Sequence, residues 1–221
     1  MSDDPVRWQR GLYWITPETT DTAALLRRAA AVLAGGAVLV QYRDKSAAPG
    51  RRREQAAALQ ALCAARGVPL LVNDDVALAA AVGAAGVHLG EHDATPAEAR
   101  AVLGAGAIVG VSCYDDLARA CALAAAGADY LAFGAFFPTA TKATTRRATP
   151  ALLRDAAALG RPRVAIGGIT ADNAAPLVDA GADLLAVVGA LATAEDPQAE
   201  ARRIAALFDA PPAMSAPGGG R

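Results

Sequence analysis

The stretch QYRDK, residues 41–45, alternates three functional side chains, Gln41, Arg43 and Lys45, with an aromatic residue and an acid. Alternate residues of a β-strand share a face. If a strand runs that far, one amide and two cations point the same way at its end, an arrangement that suits an anion such as a pyrophosphate. Two carboxylates follow, Asp74 in VNDD, next to Asn73, and Asp93 in HLGEHD. Paired hard oxygen donors suit Mg²⁺, which keeps waters and takes further oxygens from a substrate phosphate. The alternative is that each acid only caps the helix after it.

Further along, FPTATK places Thr139, Thr141 and Lys142 close together. Two hydroxyls and an ammonium can ring an anion, although an ordinary polar loop reads the same way. Gly167–Gly168 and Val188–Gly189 offer backbone N–H groups to a phosphate, or simply make tight turns. Ser112 ends another apolar run, His88 inside GVHLG reads as a core histidine with its hydrogen bonds satisfied, and His92 reads as solvent-facing.

Composition narrows the field. Among 21 basic residues only two are lysines, Lys45 and Lys142, which points to sites that need a compact ammonium. A net charge of −1 argues against a nucleic-acid partner, and no apolar run reaches membrane-spanning length. The first ten residues, MSDDPVRWQR, lack a signal-peptide pattern, so a cytoplasmic location is expected. Cys63, Cys113 and Cys121 show no CxxC spacing and read as reduced, buried thiols.

The elements that must carry these residues are legible as eight apolar runs, at 12–16, 37–43, 69–74, 86–90, 107–113, 129–137, 163–169 and 183–190. Ala-rich segments with helical periodicity lie between most of them, Ala23–Ala34 and Arg51–Arg66 among them. A recurring phrase (LAGGAVLV, GAAGVHLG, AAAGADYLAFG, DAGADLLAVVG) reads as a helix ending at a glycine C-cap before a strand. Alternating strands and helices imply an α/β fold, and eight units imply a single (β/α)₈ TIM barrel over residues 11–209. Residues 1–10 would be a flexible N-terminus and 210–221 a disordered tail. An open doubly wound sheet is the rival, but LYWITPET lacks the GxGxxG opening that would favour it. Barrel chemistry sits at the C-terminal ends of strands. Gln41, Arg43, Lys45, Asn73, Asp74, Asp93, Ser112, Thr139, Thr141, Lys142, Gly167, Gly168, Val188 and Gly189 all fall at or just past such ends.

At these residues the chain resembles the thiamine phosphate synthase family. QYRDK, VNDD, GVHLGEHD, GVS, FPTATK, AIGGI and AEDP carry the resemblance, which runs from about Leu12 to Phe208. It implies a Mg²⁺-dependent transferase that joins two small phosphorylated substrates, a hydroxymethylpyrimidine diphosphate and a thiazole phosphate, with release of pyrophosphate. It further implies that Gln41, Arg43, Lys45, Asn73 and Lys142 bind the diphosphate substrate and that Ser112 contacts its pyrimidine. Asp74 and Asp93 would hold Mg²⁺, and Arg43, Lys45 and Lys142 would act on the departing charge. Thr139, Thr141, Gly167, Gly168, Val188 and Gly189 would hold the thiazole phosphate.

The chain departs from the family pattern at four places. Glu91 stands where Gln is usual, His92 where an acid is usual, Gly189 where Ser is frequent, and Thr144 where Asp is frequent. A carboxylate at 91 would either weaken diphosphate binding or join the metal shell. Three rivals share the barrel: a thiazole tautomerase, a general phosphate-binding isomerase, and a non-catalytic binder of thiamine phosphate. SAAPGRRR, 46–53, is a candidate lid, and the pattern leaves a homo-oligomer open.

Overall fold

The computed structural model describes residues 9–45, 48–138 and 146–209. Most of the expected flexible N-terminus, the Thr139–Thr141–Lys142 group, Thr144, the first two positions of the candidate lid and the expected tail lie outside the described residues.

Eight parallel strands close into a barrel in chain order. They are β1 (Gly11–Ile15), β2 (Ala37–Tyr42), β3 (Leu70–Asn73), β4 (Gly86–Leu89), β5 (Ile108–Tyr114), β6 (Tyr130–Phe133), β7 (Arg163–Ile166) and β8 (Leu184–Val187). Helices α1 (Thr22–Ala34), α2 (Pro49–Ala64), α3 (Val76–Val82), α4 (Pro96–Leu103), α5 (Leu117–Ala125), α6 (Pro150–Asp155) and α7 (Ala175–Asp179) follow the first seven strands. Two helices, α8 (Gly189–Thr193) and α9 (Pro197–Ala205), follow the eighth. No helix among the described residues is long and apolar enough to cross a membrane.

The strand sequences are nearly continuous apolar runs because both faces are buried. Alternation sorts them: Tyr13, Leu39, Leu71, Tyr130, Val164 and Leu184 fill the barrel, while Leu12, Trp14, Val40, Leu70, Leu131 and Leu185 pack outward under the helices. Each such buried apolar side chain contributes roughly 1.5–3 kcal/mol. Polar capping fixes where the helices begin. Asp21, Asp75, Asp116 and Asp196 accept backbone N–H bonds at the starts of α1, α3, α5 and α9, and Thr95 with Glu98 forms a capping box at α4.

The structure differs from the sequence reading in detail. β6 stops at Phe133 rather than reaching 137, although Phe136 and Phe137 still donate N–H bonds to Ile166 and Gly167. The recurring glycine is the C-cap of α1 and α3 (Gly35, Gly83), but before β6 and β8 it comes one residue after an alanine cap. Residues 49–53 of the candidate lid are the first turn of α2, tied down through Arg52 to Asp75 at 2.7 Å. Cys63 and Cys113 are buried free thiols, pushed up to about 11 and about 12 by that burial, whereas Cys121 is exposed, contrary to expectation.

Candidate active site

A cavity of about 820 Å³ opens at the C-terminal ends of the strands. Gln41, Arg43, Lys45, Asn73, Asp74, Asp93, Ser112, Gly167, Gly168, Val188 and Gly189 all line it. The structure therefore brings together every candidate residue that it describes.

The alternation in QYRDK survives past the end of the strand. β2 stops at Tyr42, yet Thr16 keeps the first two strands joined: its N–H donates to the Gln41 carbonyl at 2.9 Å and its Oγ1 accepts from Arg43 N–H at 2.9 Å. Gln41, Arg43 and Lys45 consequently face the cavity. Tyr42 and Asp44 face away, with the Tyr42 hydroxyl 3.0 Å from Gln55 Oε1 and the Arg51 Nε 4.0 Å from Asp44. Both cations are held ready by acids. Arg43 pairs with Glu18 at 3.0 Å, and the Lys45 ammonium lies against Asp74.

The capping alternative for the two carboxylates is resolved by their neighbours. The helix after β3 is capped by Asp75, whose Oδ1 accepts from Leu78 N–H at 2.8 Å, and the helix after β4 by Thr95. Asp74 and Asp93 are left facing the cavity and each other. Asp74 adopts φ +63°, the left-handed region that a non-glycine residue enters at a cost. Burial alone would raise its carboxyl, but the Lys45 ammonium and the facing Asp93 bring it below the usual carboxylate value. Asp93 shifts the other way: burial and the negative Asp74 raise it, against a 2.7 Å hydrogen bond from Gly90 N–H. Two opposed carboxylates thus face the cavity, one shifted down and one shifted up. Among the described residues no group of three or more acids, histidines or cysteines gathers for a metal. Two carboxylates are the number Mg²⁺ ordinarily takes from protein when phosphate oxygens complete its shell.

His88 fulfils the satisfied-histidine reading and exceeds it. Its Nδ1 lies 2.8 Å from the Tyr130 hydroxyl and its Nε2 2.9 Å from Ser112 Oγ. Tyr130 in turn meets the Tyr13 hydroxyl at 2.8 Å, and Gln41 Nε2 donates to Tyr13. Tyr13 and Tyr130 were not singled out from the sequence. The signal available was strand alternation, which turns both into the barrel, Tyr130 beside its strand partner Gly110. A methyl group at 110 would lie 1.8 Å from Tyr130 Cζ.

On the far wall, Gly167 (φ +104°) and Gly168 (φ +65°) are required by the backbone itself. A Cβ at 168 would lie 2.3 Å from the Pro138 carbonyl oxygen. Gly189, the first residue of α8, faces open space. Glu91 is engaged away from the acid pair, bonded to Arg146 at 3.2 Å, and Arg146 also stacks 4.2 Å over the Tyr114 ring. His92 is exposed at the cavity mouth.

A family model described as thiamine monophosphate synthase matches residues 12–191. The chain is 61% identical over 199 residues to the thiamine-phosphate synthase of Xanthomonas campestris pv. campestris strain 8004, covering 90% of this chain and 96% of that one. It is 56% identical to the thiamine-phosphate synthase of Azoarcus sp. strain BH72, covering 90% and 97%. Among solved structures it is similar to a thiamine phosphate pyrophosphorylase from Pyrococcus furiosus, with TM-score 0.81, 32% identity and coverage of 92% and 97%. A 3-hexulose-6-phosphate synthase, at 18% identity and TM-score 0.69 over 89% of this chain and 99% of that one, shares the fold.

Proposed function

The chain belongs to the thiamine monophosphate synthase family, a transferase that makes thiamine phosphate, and from that premise we propose how its rim performs the reaction. The substrates are 4-amino-2-methyl-5-hydroxymethylpyrimidine diphosphate and a thiazole phosphate. The observation that carries the proposal is the cluster of Arg43, Lys45, Asp74 and Asp93 on one wall of the cavity, facing the glycines of β7 and β8 on the other.

The reaction is dissociative. The C–O bond to pyrophosphate breaks and the oxygen leaves with the electron pair. The resulting pyrimidine-methyl cation is stabilised by its ring amino group, and the thiazole nitrogen lone pair then forms the new C–N bond. No side-chain nucleophile takes part, and no general base is required. What the protein must supply is positive charge where negative charge develops, and alignment of the two reactants. Arg43 and Lys45 give the charge, poised by Glu18 and Asp74 before substrate arrives. Gln41 and Asn73 orient the diphosphate substrate and Ser112 its pyrimidine. Asp74 and Asp93 are the residues that would hold Mg²⁺, which when bound adds charge to the departing pyrophosphate. Gly167, Gly168, Val188 and Gly189 cradle the thiazole phosphate. Lys142 on the diphosphate, and Thr139 and Thr141 on the thiazole phosphate, complete the assignment from residues outside those described.

The test is direct. Purified protein with both substrates and Mg²⁺ is expected to yield thiamine phosphate, read as fluorescent thiochrome after oxidation, and EDTA is expected to abolish it. Absence of product while thiazole phosphate still binds would overturn the assignment.

A further inference from the structure

Gln41, Tyr13, Tyr130, His88 and Ser112 form one hydrogen-bonded file through the centre of the barrel. Its two ends, Gln41 and Ser112, line the cavity, and Tyr13 and His88 form part of the cavity floor between them. The two tyrosines are buried, Tyr13 1% and Tyr130 0% exposed. The file exists because Gly110 has no side chain, which lets the Tyr130 ring cross to within 5.7 Å of the His88 ring.

The hydrogens along this file can be counted. Burial raises both phenols well above their ordinary value, so each keeps its one hydrogen. Gln41 meets Tyr13 through Nε2, which only donates. The Tyr13 oxygen accepts, so its hydrogen goes to Tyr130. In this polarity Tyr130 gives its own hydrogen to His88 Nδ1, the bare nitrogen. The remaining ring hydrogen sits on Nε2 and goes to Ser112 Oγ. Both ends are thereby fixed: Gln41 has Oε1 to offer as an acceptor, and Ser112 has its O–H to donate. Along these four bonds, reversing one link reverses the others, so the five residues share one polarity, and each bond strengthens the next.

We infer that Tyr13, Tyr130 and His88 are positioning residues whose shared polarity makes Gln41 an acceptor and Ser112 a donor, selecting a 4-aminopyrimidine over a 4-oxopyrimidine. This rests on the proposed function. An exocyclic amino group is a donor beside an acceptor ring nitrogen. The 4-oxo analogue reverses both, presenting a carbonyl oxygen and a ring N–H. As the C–O bond breaks, the amino group gives up electron density and its N–H becomes a stronger donor, so an acceptor fixed in place holds it more tightly in the transition state. Sites built on such fixed polar groups reject mismatched analogues strongly, because the mismatch leaves buried groups unpaired.

Two measurements on the full chain test this. The first is ¹⁵N NMR of the two histidine rings without substrate, with His92→Gln identifying the His88 signal. The expected result is a neutral His88 ring protonated on Nε2, with that single tautomer lost in Tyr130→Phe. A wild-type ring protonated on Nδ1 would overturn the polarity. The second is calorimetric affinity for the 4-amino and 4-oxo pyrimidine diphosphates in wild type, Tyr130→Phe and Tyr13→Phe. The expected preference for the amino compound falls at least about tenfold in both variants, and the affinity for thiazole phosphate stays unchanged. A preserved amino-to-oxo ratio in folded variants would overturn the inference. Failure of wild type to bind either diphosphate would instead overturn the proposed function, and with it this use of the file.

Discussion

Asp74 and Asp93 face each other from the ends of β3 and β4 and hold their protons unequally, Asp74 below the usual carboxylate value and Asp93 above it. A divalent ion needs both in the ionised form. Binding must therefore expel the proton that Asp93 retains to higher pH than an ordinary aspartate. The sign follows: affinity for Mg²⁺ or Mn²⁺ weakens as pH falls through the Asp93 value, by about tenfold per pH unit for one competing proton. Calorimetry in buffers of different ionisation enthalpy would count the released proton. An affinity that stays flat across that range would show that the pair does not bind the metal.

Asp74 combines a charge with a left-handed backbone, and two substitutions separate them. Asn accepts φ near +60° far better than most residues. Asp74→Asn is therefore expected to lower turnover at least about tenfold, since loss of one group acting on developing charge typically costs more than that. Its unfolding midpoint in urea should change little, because the Lys45 partner is 55% exposed. Asp74→Ala should lose the same turnover and in addition about 1 kcal/mol of stability from backbone strain. Near-normal turnover in Asp74→Asn removes Asp74 from the site.

The contrast between Asp74 and Asp75 shows where sequence reasoning runs out. Two adjacent aspartates after a strand are equally able to cap a helix, and only the turn geometry gives the cap to Asp75. Gln41, Arg43 and Lys45 were legible because period two persists wherever pairing persists, and Thr16 extends that pairing beyond Tyr42. The Tyr13–Tyr130 bond joins residues 117 apart, brought together by barrel closure, and nothing local marks the two tyrosines as partners. Glu91 was recognisable as an unusual acid, but its partner Arg146 lies 55 residues further on. Strand alternation thus reveals which side chains enter the barrel, and closure decides which of them meet.

Gly168 and Gly189 both line the cavity but tolerate side chains differently. At Gly168 a Cβ would meet backbone at 2.3 Å and φ is +65°, so Gly168→Ala should cost roughly 1–3 kcal/mol and raise KM for thiazole phosphate. At Gly189 a Cβ meets nothing within 4 Å, so Gly189→Ser should stay within about 0.5 kcal/mol of wild type. Thermal unfolding with steady-state kinetics on both substrates checks the pair. A destabilised Gly189→Ser would contradict the open space seen there.

Glu91 places a negative charge on the cavity wall that is to receive a diphosphate, and its bond to Arg146 partly offsets it. Both side chains are well exposed, 37% and 42%, so the pair adds at most about 1 kcal/mol to stability. Glu91→Gln is thus expected to leave the unfolding midpoint nearly unchanged. Its effect should appear in binding. Removing the carboxylate lowers repulsion toward the diphosphate. A charge change near the site through partly exposed solvent is worth on the order of 1 kcal/mol, so KM for the pyrimidine diphosphate should fall about fivefold and KM for thiazole phosphate should hold. The dependence on ionic strength separates this from packing, because a screened charge effect shrinks as salt rises. A higher KM in Glu91→Gln would mean that the carboxylate helps to hold the substrate's metal, and would place Glu91 with Asp74 and Asp93.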